Sequence, residues 1–335
     1  MEKKRMKKQY DVTALGELLI DFTENGISTQ GNPLMEANPG GAPSNVLALL
    51  SGLGHKTAFI GKVGQDMFGD QLKAALKEVG IATEGLLADP KIHTTLAFVH
   101  TLPGGDRDFS FYRQPGADIM LSKEEVPVEM IRGSRIFHFG SLSMTDEPVR
   151  TATQYALETA KEADTVISFD PNLREPLWPN LEEARKMIDF GMRQCDILKI
   201  SDNEVEWFTG MKDLEKGAEE IRKTYQPKLM LMSLGKDGSI AWSGSAKAFA
   251  EPFLQENTIE TTGAGDTFCG SVLHYVLGLG EDEQMKKSLG NLSEAKLKEM
   301  LLFANAAASI VTTRRGALRV MPREEEINDL IKERS

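Results

Sequence analysis

The sequence predicts an α/β fold, with a mostly parallel central sheet, helices on both faces and a small β lid. Two patterns carry this expectation. From residue 136 onward, short apolar strands at 136–139, 165–170, 197–200 and 229–233 alternate with helical segments at 148–162, 181–195, 203–210 and 214–225. Such alternation lays strands in parallel between two helix layers. Earlier, the segments 94–101 and 108–112 alternate as strands around the turn Pro103-Gly104-Gly105-Asp106. A hairpin that interrupts a β/α pattern is expected off the main sheet, where it can cover a site.

Taken in order, the first strand is 12–20, interrupted at Gly16 and ending near Glu17 and Asp21. Asp21 can be a turn aspartate, or it can fix sugar hydroxyls, since a carboxylate accepts two of them at once. Residues 24–39 are rich in Gly, Asn, Pro and Thr, and Pro39-Gly40-Gly41-Ala42-Pro43-Ser44-Asn45 then opens a helix through Leu53. Paired glycines and a proline at a helix start leave backbone donors open to a ligand, with Asn45 one turn in. The run Gly61 to Gly69 follows the next strand and opens a second helix to about Val79. Arg113, just after the hairpin, is a cation at a strand end, available to a ligand or to solvent.

Polar groups gather just past the later strands: Asp170-Pro171-Asn172-Leu173-Arg174, Ser201 to Glu206, and Ser233 to Gly238. The carboxyl edge of an open α/β sheet is where ligands bind. Thr261 to Gly270 reads T-T-G-A-G-D-T-F-C-G and leads into an apolar helix starting near Ala264. Unpaired N–H groups and the helix dipole make that start a site for an anion such as a phosphoryl group. Gly263 and Gly265 let backbone approach the anion, and Asp266 can accept the proton of an attacking hydroxyl. Taken alone, G-x-G-D fits a capping carboxylate as well. Leu297 to Thr313 forms a further helix carrying Asn305.

The chain has 335 residues with 39 basic and 50 acidic side chains, a net charge of -11. That balance argues against a general nucleic-acid or anionic-membrane binder, so any phosphate site is local. Two distant cysteines, Cys195 and Cys269, exclude a disulfide framework and suit a reducing compartment, the cytoplasm. The five histidines lack metal-ligand spacing. Residues 1–9 read as a flexible basic start with no apolar run behind it, neither leader nor membrane span. No linker composition or repeat divides the rest, so one domain is expected over 10–330, with lid segments near 22–39 and 92–114.

The Gly40-Gly41 to Asn45 element, continued by Gly61 to Gly69, and the Thr261 to Gly270 loop, in this order, resemble the ribokinase (phosphofructokinase-B) family of sugar kinases. The resemblance runs from the first strand through Pro322. It implies a ribokinase-like fold, with Asp266 as base and Gly263, Ala264 and Gly265 as the anion hole. Asn203-Glu204-Val205-Glu206 matches the family's N-x-x-E element, implying magnesium held through water by Asn203 and Glu206. Ser233, Gly235, Gly238 and Asn305 fall where the family holds ATP. Ala14 to Asp21, Asn38 to Asn45, Phe111-Tyr112-Arg113 and Asp170 to Trp178 are most similar to fructokinases. That implies Asp21, Gly41, Asn45, Tyr112 and Arg113 at the sugar, with Asn172 and Arg174 between sugar and phosphates.

The implied reaction moves a phosphoryl group from ATP to the 6-hydroxyl of fructose. Kinases of 2-keto-3-deoxygluconate share a similar tyrosine-arginine pair and D-P-N-x-R stretch, and remain the alternative, with a non-catalytic sugar- or nucleotide-binding protein of the same fold behind them. Many family members carry aspartate before T-T-G-A-G-D, where it helps hold potassium. Here Glu260 stands there, a candidate potassium ligand one methylene longer. The lid hairpin with the 22–39 segment implies exposed sheet edges and a homodimer built through them.

Overall fold

The computed structural model describes residues 8–101 and 107–334. Most of the basic start and the turn Pro103-Gly104-Gly105-Asp106 lie outside the described residues. The strands are β1 (Tyr10–Leu15), β2 (Leu19–Ile27), β3 (Pro33–Gly40), β4 (Thr57–Gly64), β5 (Ala82–Asp89), β6 (Leu96–Thr101), β7 (Arg107–Tyr112), β8 (Ser134–Gly140), β9 (Val166–Asp170), β10 (Ile197–Ser201), β11 (Leu229–Ser233), β12 (Ser239–Ser243) and β13 (Ala246–Ala250). The helices are α1 (Ala42–Gly52), α2 (Met67–Glu78), α3 (Val128–Arg132), α4 (Val149–Glu162), α5 (Leu181–Met192), α6 (Asp202–Thr209), α7 (Leu214–Tyr225), α8 (Ala264–Leu277), α9 (Asp282–Leu289), α10 (Glu294–Val311) and α11 (Glu324–Glu333). No helix among the described residues is long and apolar enough to cross a membrane.

Nine strands form the main sheet in the order β13-β12-β11-β10-β9-β8-β1-β4-β5. Pairing is parallel from β5 to β11 and antiparallel for β12 and β13. Both faces are covered, which is why its strands read as nearly continuous apolar runs. Ile136, Val166, Ile197 and Leu229 enter one core with residues of α1, α8 and α10, while Phe137, Ile167, Leu198 and Met230 enter the other with residues of α4, α5 and α7. Each fully buried side chain of this size contributes roughly 1.5–3 kcal/mol. Phe139 stacks on Phe169 across β8 and β9, with ring centroids 4.6 Å apart.

The lid is a four-stranded sheet, β3-β2-β6-β7. It differs from the expected single first strand: the chain leaves the main sheet at Gly16 and enters the lid as β2. A Cβ on Gly16 would stand 2.5 Å from Pro43 Cγ, so the break passes tightly under the start of α1. Strands β5, β12 and β13 and helices α9 and α11 complete the layers without having been expected from the sequence. The layout puts the carboxyl ends of β1 and β8–β11, the start of α8 and one lid face around a common space.

Candidate active site

That space is a cleft of about 670 Å³ between lid and sheet edge, and Asp21, Gly41, Asn45, Asn172, Arg174, Glu260, Gly263, Gly265 and Asp266 all reach it. A second cavity of about 330 Å³ lies on the other side of the Thr261–Gly265 loop, with Ser233, Gly235, Gly238, Ala264 and Asn305 on its walls. Thr258, Thr261 and Gly265 border both spaces. The two are therefore adjoining chambers that meet at the first turn of α8.

Gly263 caps α8 with φ 76°, the left-handed region that glycine enters at least cost. The Ala264 N–H turns back to the Thr261 carbonyl at 3.2 Å, and the N–H groups that follow it in the first turn have no partner within the helix. Asp266 follows, 9% exposed, and accepts a hydrogen bond from Asn45 Nδ2 at 2.8 Å. Burial pushes its carboxyl up, against the pull of Asn45, Lys199 and Arg174. Asn45 Oδ1 is buried without a partner, an acceptor at the cleft that a ligand hydroxyl would satisfy.

Asp21 lies on β2 opposite Asn38 of β3, and both line the cleft. Burial raises its pKa to about 7, with Arg174 opposing and Asp266 and Glu260 adding to the rise. Gly40 makes room for it, since a Cβ there would sit 2.1 Å from Asp21 Oδ2. Glu17, absent from the expected site, also lines the cleft and accepts the Ala42 N–H at 2.8 Å, fixing the start of α1. At Gly41, φ is 127° and a Cβ would meet Glu17 O at 2.3 Å. Asn172 takes φ 44° and accepts from Arg174 at 2.8 Å, which turns the exposed guanidinium along the cleft wall.

Three expectations are corrected. Arg113 does not line the cleft: its Nε donates to Asp118 at 2.7 Å, Nη1 to Thr145 at 3.0 Å and Nη2 to the Leu142 carbonyl at 2.9 Å. It is a buried structural cation paired with Asp118. Tyr112 points away as well, 67% exposed and edge-on to Phe98. Side chains alternate along β7, so it is Phe111 that faces the cleft. Asn203 and Glu206 border neither chamber and are exposed on α6. Glu204 is the acid turned to the sheet edge, accepting the N–H groups of Ser201 at 2.9 Å and Leu173 at 2.8 Å. Asn305 lies in the wall of the second chamber, where its amide accepts from Ser239 and donates to the carbonyls of Ala250 and Glu251. It shapes the wall by tying β12 to the end of β13 and offers a ligand mainly contact.

Gly235 and Gly238 line the same chamber, and Gly238 must be glycine because a Cβ would meet Ala250 O at 2.3 Å. Glu260 turns inward: its Oε1 accepts the Gly316 N–H at 2.8 Å, and the Ile259 and Glu260 N–H groups donate to the Thr312 carbonyl. The sequence reading also missed a buried ion pair, Lys199 with Asp170, at 3.0 Å behind Gly265. Its one signal was a lysine inside the apolar strand β10.

The chain belongs to the pfkB family of carbohydrate kinases, whose model matches residues 9–324. Among curated relatives, fructokinase-1 of Zea mays is 41% identical over 324 residues, covering 96% of this chain and 97% of its own. A crystal structure of fructokinase with bound ATP from Xylella fastidiosa superposes with a TM-score of 0.88 at 28% identity, over 98% of this chain and 99% of that one. A double mutant of fructokinase from Vibrio cholerae O395, in fructose, ADP and potassium ion bound form, gives 0.84 at 26% identity, over 98% and 100% of the two chains. The ribokinase-like α/β fold and the sugar-kinase class expected from the sequence are thus both found.

Proposed function

We propose that the protein phosphorylates D-fructose at its 6-hydroxyl with ATP. The observation that carries this is the meeting of two chambers at Thr261 and Gly265, with Asp266 on the cleft side. Sugar in the cleft and nucleotide in the second chamber would face each other across the α8 turn. Asp266 takes the hydroxyl proton as the oxygen bonds to the γ-phosphorus, and the bond from that phosphorus to the β–γ bridging oxygen breaks, its electron pair leaving on ADP. Little covalent chemistry is asked of the protein, so positioning and charge carry the rate. The N–H groups around Gly263, Ala264 and Gly265 suit the equatorial oxygens. Asp21, Asn45 and Asn172 supply polar partners for sugar hydroxyls, and the lid strands β2, β3 and β7 close over them to exclude water.

Among the described residues no cluster of three His, Cys, Asp or Glu is arranged to hold a metal ion. Magnesium would arrive with the nucleotide, because that ion keeps several waters and needs few protein carboxylates. Glu204, which itself lines neither chamber and has its carboxylate engaged by the Ser201 and Leu173 N–H groups, would hold the ion through water from the sheet edge, and the ion would neutralise phosphate charge. Glu260 beside the 312–316 backbone suits a potassium ion.

The keto-sugar-acid alternative needs a cation for the substrate carboxylate; Arg113 is committed to Asp118, which leaves Arg174 on the cleft wall as the cation that reading would use. Phosphoryl transfer measured across fructose, ribose, glucose, adenosine and 2-keto-3-deoxygluconate tests the reading. Fructose should give the highest kcat/KM, and a higher value for the keto-sugar acid would replace it. A homodimer through the lids is part of the proposal, supported by exposed apolar side chains on the lid and its hairpin, Ile27, Leu34 and Tyr112. Sedimentation at micromolar concentration showing monomer alone would contradict it.

A further inference from the structure

Lys199 and Asp170 form an ion pair that no chamber touches. The ammonium lies 3.0 Å from Asp170 Oδ2 and 3.2 Å from Oδ1, with the two side chains 7% and 4% exposed. Burial pulls the ammonium's pKa down, but Asp170 and Glu204 outweigh it and hold the value above the ordinary lysine range, so the group stays charged. A buried pair of this kind is a poor stabilising device, since well-packed apolar side chains often replace one without loss. Its position is more informative. A Cβ on Gly265 would stand 3.4 Å from Lys199 Nζ, and Gly265 borders both chambers. One glycine backbone therefore separates the ammonium from the place where the chambers meet.

We propose that Lys199, oriented by Asp170, is a positioning residue that fixes a positive charge behind the Gly265–Asp266 turn, favouring an ionised Asp266 and the anion gathering on the start of α8. The proposal rests on the reading of Asp266 as base. The groups facing Asp266 are Asn45 from α1, Asp21 from β2, Asp170 from β9, Arg174 from the loop after it, Lys199 from β10 and, on α8 itself, the buried Cys269, whose thiol burial holds in its neutral form. Of the two cations, Arg174 is exposed and so is screened by solvent and salt, whereas Lys199 is buried out of their reach and is offset by its partner Asp170.

Burial raises the Asp170 carboxyl to about 7 against the pull of Lys199, so above that pH the two partners carry opposite charges and their removal has opposite effects. The test is the pH dependence of fructose kcat/KM for the full-length parent, Lys199→Met, Asp170→Asn and Asp266→Asn, with thermal melts of each. Lys199→Met should move the acid limb upward by about one pH unit and lower kcat about tenfold at pH 7, with the fructose KM within about twofold. Asp170→Asn leaves the ammonium uncompensated and should move the limb downward. A purely structural pair would lower the melting temperatures and leave both limbs in place, and that result, or two shifts of the same sign, would overturn the proposal. Should Lys199→Met not fold, Asp170→Asn and Lys199→Arg decide: a downward shift in the first with the parental limb in the second supports it, and an unmoved limb in Asp170→Asn overturns it. An acid limb missing from the parent, or surviving in Asp266→Asn, overturns the base reading and this proposal together. A parental limb that ignores both pair variants overturns this proposal alone.

Discussion

Asn45 donates its side-chain amide to Asp266 at 2.8 Å, joining two residues 221 positions apart. One sits a turn into α1 and the other at the start of α8, the two helices that pack together on the same face of the sheet. The bond fixes the carboxylate at the cleft and leaves Asn45 Oδ1 for a ligand hydroxyl. Asn45→Leu removes both functions. A hydrogen bond to a charged group is worth roughly 1.5–3 kcal/mol, so kcat/KM should fall by about tenfold to a hundredfold. Without the amide, Asp266 is also easier to protonate, so the acid limb should rise in pH; steady-state kinetics from pH 5 to 9 check both.

Asp21 gives a test on stability that is separate from turnover. A carboxyl whose pKa rises on folding stabilises the fold when protonated. The contribution is fully present below the unfolded value, 3.8, and is lost as pH climbs through about 7. Asp21→Asn removes that loss, so its melting temperature should exceed the parent's at pH 8 by roughly 2 °C or more, and the difference should shrink towards pH 4. A constant difference across that range would show that the carboxyl does not titrate as described. Activity on fructose should fall in the same variant at every pH.

Arg113 separates a structural from a sugar-binding role. Truncating one partner of a buried, hydrogen-bonded pair costs about 3–5 kcal/mol. Arg113→Ala should therefore lower the melting temperature by several degrees, while the fructose KM of the folded fraction changes little. A KM raised tenfold or more at unchanged melting temperature would return Arg113 to the sugar site.

These cases show which parts of the molecule were readable in the sequence. Strand and helix alternation fixed the main sheet from β8 to β11, and the glycine loop marked the start of α8, because both depend on local pattern. The interruption at Gly16 was readable, but the passage of the chain from the main sheet into the lid at that point was hidden, since it goes with a close approach to Pro43, a contact across the fold. Tyr112 and Phe111 differ by one residue of phase on β7, and only the pairing of β7 with β6 decides which faces inward. The Arg113 partner, Asp118, is close in sequence but sits in a short helical turn that carried no motif. Likewise, Glu204 and Glu206 are both acids on a short helix, and the rotation of α6 chooses between them.

Glu260 is positioned by Gly316 at 2.8 Å rather than directed to solvent. A cation beside it would neutralise a loop that borders the anion site. At fixed ionic strength, kcat/KM for fructose should be higher in potassium than in choline for the parent, and Glu260→Ala should lose most of that stimulation. Equal parental rates in the two salts would remove the cation site, while stimulation persisting in Glu260→Ala would keep the site and exclude Glu260 from it.

The most direct measurement is the turnover of Asp266→Asn on fructose and ATP, alongside ATP binding by calorimetry. The variant keeps the size of the side chain and its contact with Asn45 but cannot accept the hydroxyl proton. The expected result is a kcat lower by roughly 10²-fold or more with ATP affinity retained, the usual scale for loss of a general base. Turnover close to the parent's, with ATP bound normally, would contradict the assignment of Asp266 as the base and with it the mechanism proposed for this site.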